Sequence, residues 1–252
     1  MATAALIHHQ HPWAHAHHQH QHHHHLNSSS SSSTSTATAA ALVATPPGAG
    51  AAGVAAPGAR KEIPKRNEVP FNREGLIPIL EFFSQCVGAA FNNRQIRLVV
   101  HGGACMLLHD MLHRLSTQQH QLHPTLPHRT STRDVDYIHR SFLTEMAQQG
   151  VLDAEAKIKD CIRRTAETCG LGLDWMNSDA DVALPFIPGP NGTRLDPIYH
   201  ASIQSNNINL HTIFRSKNGL LTLISVTPFW AVSLKLVRYT PQDAADICLL
   251  LR

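Results

Sequence analysis

Apolar positions recur at helical spacing from residue 76 onward. Leu76, Ile79, Leu80, Phe83, Val87 and Ala90 share one helical face. Pro78 fits only a first turn, which places the start of that helix close to it. Residues 96–100, Ile-Arg-Leu-Val-Val, predict a short buried strand, stopped by Gly102 and Gly103. Ala104, Leu107, Leu108, Met111, Leu112 and Leu115 then predict one continuous amphipathic helix. Residues 116–130, rich in Gln, His, Pro and Thr, predict a loop insertion, and 132–138 a second strand. A helix follows over 153–169, with Asp153 as N-cap, Ile158, Cys161, Ile162 and Thr165 inward, and Gly170 as its stop. Residues 174–190 are bounded by Pro and Gly and predict irregular structure. Two further strands are expected at 208–214 and 220–226, joined by a turn at Lys217-Asn218-Gly219. Thr227-Pro228 opens a helix to about residue 237, and Thr240-Pro241 opens another, with Asp243 at the capping-box position. This alternation predicts a mixed α/β (α+β) domain over 72–252, a sheet flanked by helices.

Composition separates that domain from what precedes it. All 21 Lys and Arg and all 18 Asp and Glu fall after residue 59. Residues 1–59 run from a His/Gln stretch through Ser to Ala/Gly/Pro, with 11 of the chain's 20 histidines in residues 8–25. Nothing there offers an apolar face to offset the entropy of ordering, so a disordered N-terminal tail is expected. Histidine clusters of this kind can bind zinc, copper or nickel; drift in a tolerated low-complexity tract is the plainer explanation. Arg60, Lys61, Lys65 and Arg66, with Pro64 and Pro70, make residues 60–71 a basic linker.

The net charge of +3 is too small to argue for a nucleic-acid surface. No apolar run approaches the ~20 residues of a membrane helix, and the N-terminus lacks the basic region of a signal peptide. Five cysteines without Cys-x-x-Cys spacing read as reduced thiols, so an intracellular, cytoplasmic protein without membrane association is expected.

Two features carry chemistry. In the first, a strand leads through Gly102-Gly103 into a helix. Paired glycines let backbone approach a ligand, and free amides at a helix start can hold phosphate oxygens; a tight turn is the commoner use of such a pair. The second is Arg133-Asp134-Val135-Asp136-Tyr137. On a strand Asp134 and Asp136 share one face, where two carboxylates repel. A divalent cation such as Mg²⁺ (or Mn²⁺) would remove the conflict; counter-ions from Arg133 or Arg140 on an exposed face would do so too.

Taken together, strand–Gly-Gly–helix followed by strand–Asp-x-Asp resembles the nucleotidyltransferase superfamily, the polymerase-β-like or minimal nucleotidyltransferase fold. His101-Gly102-Gly103-Ala104 and Arg129-Thr130-Ser131-Thr132-Arg133-Asp134-Val135-Asp136 resemble nucleotidyltransferase-like proteins related to AbiEii-type toxins. Asp174-Trp175-Met176-Asn177, Leu234-Lys235-Leu236 and Gln242-Asp243-Ala244-Ala245-Asp246-Ile247 resemble that family's later motifs. The resemblance spans about residues 76–252. It implies triphosphate contact for Gly102 and Gly103, and catalytic metal ligation for Asp134 and Asp136. Lys235 is a candidate nucleotide contact; an ion pair with Asp243 or Asp246 is its alternative. Trp175 and Asn177 read equally as packing, turn or site residues.

Many superfamily members supply a third carboxylate from a later strand, yet neither 208–214 nor 220–226 contains one. Asp174, Asp179, Asp181 and Asp196 are the loop candidates. Two functions follow as expectations: Mg²⁺-dependent transfer of a nucleoside monophosphate from an NTP to a hydroxyl on RNA, protein or a small molecule, or a non-catalytic module of the same fold that binds nucleotide or a protein partner. No Gly-x-Ser-x-Gly elbow supports a serine hydrolase.

Overall fold

The computed structural model describes residues 62–252. The His-rich tail and the first two residues of the basic stretch lie outside the described residues. Helix α1 (Arg73–Ala90) leads to β1 (Ile96–His101), α2 (Gly103–Leu108), α3 (Asp110–Leu122), β2 (Val135–Tyr137), α4 (His139–Gln148) and α5 (Ala154–Cys169). Then come β3 (Met176–Asn177), a 3-10 turn (Asp179–Ala183), β4 (Ile187–Pro188), a second 3-10 turn (Pro190–Gly192) and β5 (Arg194–Leu195). Helices α6 (Pro197–Ser202) and α7 (Ser205–His211), strands β6 (Thr212–Arg215) and β7 (Leu221–Ser225), and helices α8 (Pro228–Arg238) and α9 (Pro241–Leu250) complete the described chain.

The five-stranded sheet has the order β3-β2-β1-β7-β6, and β4 pairs with β5 in a separate ribbon. It is mixed: β1 is antiparallel to β2 and parallel to β7, β3 is parallel to β2, and β6 is antiparallel to β7. The expected α/β class with a helix-flanked mixed sheet is therefore observed.

Strand alternation divides the core. Ile96, Leu98 and Val100 of β1 and Val135 and Tyr137 of β2 join the main cluster with α1, α4 and α5. Val99 instead joins Ile138, Leu184, Ile198 and Val226 in a second cluster. Period-2 geometry and the His101–Asp136 pairing put those two residues on the Val99 side. Strand β2 is shorter than the expected 132–138, and Asp134 lies just before it. Trp175 is a packing residue: it is fully buried, meets Phe83 edge-on at 5.6 Å, and donates its indole N–H to the Ile162 carbonyl at 3.0 Å.

Several element boundaries differ from the sequence expectation. Helix α1 begins at Arg73, a full turn before Pro78, because Asn72 caps it by accepting from the Gly75 amide. Pro78 and Glu74, whose carbonyl loses its partner, are both exposed, so water can satisfy that carbonyl. The apolar pattern over 104–115 spans two helices rather than one. The chain breaks at His109, and the Arg73 guanidinium donates to the freed carbonyls of Leu107 and Leu108, each at 2.8 Å. Helix α3 then runs on to Leu122 through residues expected in a loop, since nothing before Pro124 forbids a helix. Residues 208–211 are helical instead of extended. Strand β7 ends at Ser225 with Pro228 close behind, so β6 finds a partner only from Thr212 onward. Helix α5 and its αL stop at Gly170 match the expectation, as does the Thr240/Asp243 capping box on α9. Asp153 stands at the N-cap position of α5, but its carboxylate makes no capping hydrogen bond and pairs with Lys157 at 3.0 Å instead.

Residues 62–71 pack along the domain. Phe71 is buried and bridges to Thr132, the Pro64 carbonyl accepts from the Leu173 amide at 2.8 Å, and Asn67 is 6% exposed.

Candidate functional site

A cavity of about 360 Å³ opens on the Val99 side of the sheet, at the ends of β1 and β2. Its wall includes His101, Gly102, Asp134, Asp136 and Lys235, and so gathers four of the five residues singled out from the sequence. Gly103 follows directly behind as the first residue of α2.

Backbone geometry explains the glycine pair. Gly102 has φ 78° and ψ −152°, a region essentially reserved for glycine. A Cβ there would stand 2.6 Å from Asp136 Oδ2. At Gly103 a Cβ would meet Thr132 Oγ1 at 2.6 Å and Arg129 Nη1 at 2.9 Å. Both glycines thus allow the Asp-x-Asp segment to lie against the start of α2. Helix α2 has only six residues, too short for an appreciable macrodipole.

Strand pairing fixes the carboxylates. His101 stands directly opposite Asp136 in the antiparallel β1–β2 pair, and the parallel β2–β3 pair sets Asp136 beside Asn177. Asp134 accepts from the Thr132 hydroxyl at 3.3 Å. Asn177 also lines the cavity; its side chain accepts from the Asp179 amide at 3.1 Å and donates to the Asp174 carbonyl at 3.2 Å.

The loop carboxylates sort into two pairs. Asp174 and Asp179 line the cavity with Asp134 and Asp136. Asp174 also accepts from the Asn67 amide, which ties residues 62–71 to the site. Asp181 instead accepts from the amides of His139 and Arg140, both at 2.9 Å, at the start of α4. Burial raises its pKa, and the Arg140 and His139 contacts offset that only in part. Asp196 caps α6 and accepts from Arg140 Nε at 2.7 Å and the Ser141 hydroxyl at 2.9 Å. Asp181 and Asp196 are structural.

Lys235 forms the ion pairs that were its alternative reading. Its ammonium lies 3.2 Å from Asp243 and 2.7 Å from Asp246, with the side chain 5% exposed. Burial works against the Asp243 carboxylate. Hydrogen bonds from the Thr240 amide and hydroxyl, with Lys235, outweigh it and lower the pKa to about 2. Asp246 is shared with Arg129, whose Nε and Nη2 approach it at 2.9 and 2.8 Å. Sequence reasoning missed Arg129 as a contributor; its pairing with a residue 117 positions away leaves no local signal.

The charge balance is decisive for what the cavity accepts. Asp134, Asp136, Asp174 and Asp179 face it, whereas the Lys235 charge is already engaged. Unaided, such a wall repels a polyphosphate. Cys105 also lines it, but burial dominates over the opposing Ser225 and Lys235 contacts and pushes its thiol up to about 12. A thiol in that state is no nucleophile at neutral pH.

The donor set fits a hard divalent cation of the Mg²⁺ type, which uses one or two carboxylates and fills its shell with water and substrate phosphates. Asp134 and Asp136 supply such a pair. Among the described residues, no three His, Cys, Asp or Glu side chains form a group that encloses an ion. All five cysteines are free thiols, and no helix among the described residues is long and apolar enough to cross a membrane. Comparison with protein-family models, curated proteins and solved structures returns no match for this chain.

Proposed function

We propose that this cavity is a nucleotidyltransferase-type site, which takes an NTP with Mg²⁺ (or Mn²⁺) and transfers a nucleoside monophosphate to a hydroxyl acceptor. One observation carries the reading: Gly102, in a glycine-only conformation, lies against the Asp136 carboxylate in a cavity that Asp134, Asp174 and Asp179 also line. A phosphate drawn up to that backbone meets carboxylates, so the two negative groups need a cation between them. Bound Mg²⁺ supplies charge neutralisation of the phosphates and of the departing pyrophosphate. Asp134 and Asp136 would hold it. Gly102 presents backbone to the phosphates at the cavity wall, Gly103 lets Thr132 and Arg129 pack behind it, and Lys235 with Arg129 keeps α9 pinned against the site. In the transfer, the acceptor oxygen bonds to the α-phosphorus and gives up its hydroxyl proton to water, while the α-phosphorus bond to the bridging oxygen breaks and pyrophosphate leaves with that oxygen.

A non-catalytic module that binds nucleotide or protein is the second reading. Two observations favour it: the described residues contain no three-ligand metal group, and the Lys235 charge is tied to two aspartates.

Calorimetric titration of the full chain with ATP, GTP, CTP and UTP, each with Mg²⁺, tests the site. The Asp134→Asn/Asp136→Asn double variant carries the same tail and cancels its contribution. Metal-dependent binding that disappears in the double variant supports the nucleotide site, and pyrophosphate release with the same sensitivity supports transfer. Binding without release supports the second reading. A folded chain that binds no NTP overturns both nucleotide readings.

A further inference from the structure

A second cavity, of about 290 Å³, lies between β1, α4, α6 and the β4–β5 ribbon. It shares no wall residue with the candidate site. Phe186, 39% exposed, lies beneath two guanidinium groups: Arg140 at 3.8 Å and Arg194 at 4.2 Å from the ring centroid. Their donors are spent very differently. Arg140 donates to Asp196 and to the carbonyls of Asp181, Leu184 and Pro185, and so staples the ribbon to α4. Arg194 makes no hydrogen bond or ion pair through its guanidinium among the described residues. Stacking uses only its face, so its edge N–H donors remain available to a ligand in the cavity.

The remaining wall defines what fits. Arg97 is bound to Glu145 at 2.9 Å, and Glu145 also accepts from the Tyr199 hydroxyl. Three arginines against Glu145 and Asp196 leave one surplus positive charge, which suits a monoanion. The two carboxylates disfavour a phosphate dianion. Leu195 and Ile203 supply apolar wall, and the volume is at the small end for ligand sites.

We propose that this cavity binds a small carboxylic acid with an apolar body, the carboxylate on the Arg194 fork and the body against Leu195 and Ile203. A planar guanidinium matches a carboxylate through two parallel hydrogen bonds.

Benzoate is the probe, titrated into the full chain at pH 8 and read by calorimetry. Saturable one-to-one binding is expected. Arg194→Gln should weaken it about tenfold or more, the loss of a charge-assisted hydrogen bond. Ile203→Trp, which fills the cavity without touching its charge, should abolish it. Asp134→Asn/Asp136→Asn should leave it unchanged, separating this site from the nucleotide cavity. Neutral benzamide should bind wild type at least about tenfold more weakly, a comparison that needs no variant to fold. The proposal is overturned if the folded wild type does not bind benzoate saturably, if benzamide or inorganic phosphate binds as tightly, or if a folded Arg194→Gln protein binds benzoate as wild type does.

Discussion

At the residue scale, the candidate site depends on backbone that only glycine adopts. Gly102→Ala puts a Cβ into a φ of 78° and 2.6 Å from Asp136 Oδ2. Strain of this kind costs about 1–3 kcal/mol, and Asp136 must move to relieve the contact. Urea unfolding should show that loss, and Mg²⁺-dependent nucleotide binding should weaken beyond it. Lys235 raises a different question, because its partners are buried with it. Lys235→Met removes the buried ammonium that Asp243 and Asp246 share, although Arg129 still holds Asp246. A loss of about 3 kcal/mol is expected in the same unfolding experiment. The Lys235→Met/Asp243→Asn double variant should lose less than the sum of its parts, since removing both charges leaves neither exposed to the other's absence. Alternation along β2 made the placement of Asp136 legible in the sequence; Asp134 lies just before the strand and reaches the same cavity wall from there. Arg129, Asp174 and Asp179 were not resolved: the first pairs across 117 residues, and the other two belong to a loop whose path no periodicity encodes.

At the element scale, local signals placed helix ends well at a glycine stop, at a Pro start and at a capping box. Gly170, Thr227-Pro228 and Thr240-Asp243 end or begin helices where the sequence placed them. Apolar spacing did less well at the α2–α3 break, because what permits the break is Arg73, a residue in another helix. The same is true of residues 62–71, whose basic, Pro-containing composition reads as a linker. Their docking is fixed by Asn67, which donates to the Val69 and Arg133 carbonyls at 2.9 and 2.6 Å and accepts from the Gly172 amide at 3.2 Å. Gly172 is the tight point: a Cβ there would sit inside contact distance of the Arg66 and Asn67 backbone. Backbone cannot yield as a flexible side chain can, so Gly172→Ala should detach the segment. Trypsin should then cut at Lys65 and Arg66 much faster than in wild type, while α1 and α5 stay protected from hydrogen exchange. Equal cleavage rates in the two proteins would count against the docking. Because Asn67 also holds Asp174, the variant should weaken nucleotide binding if Asp174 belongs to the site.

At the scale of the whole molecule, buried imidazoles and Asp243 make two separate contributions to the response to acid. His109, His139 and His211 all have pKa values lowered from 6.5, with burial the leading cause in each. Asp110 opposes the shift at His109, and Glu155 and Asp181 oppose it at His139, while His109 itself reinforces the shift at His211. The unfolded chain therefore takes up these protons at a higher pH than the folded one. Stability is full above about pH 6.5 and declines as pH falls below it. Asp243 works in a lower window: held at about 2 against 3.8 for the ordinary carboxylate, it stabilises above about pH 4 and loses that contribution as pH falls toward 2. The melting temperature should consequently fall in two stages, the first between about pH 6.5 and 5 and the second below about pH 4. His109→Gln/His211→Gln should flatten the first stage and leave the second in place. Asp243→Asn should lower stability at neutral pH and flatten only the second. A single stage beginning near pH 4 would mean that the three imidazoles protonate within the folded protein at no cost, and that their burial does not oppose the charge.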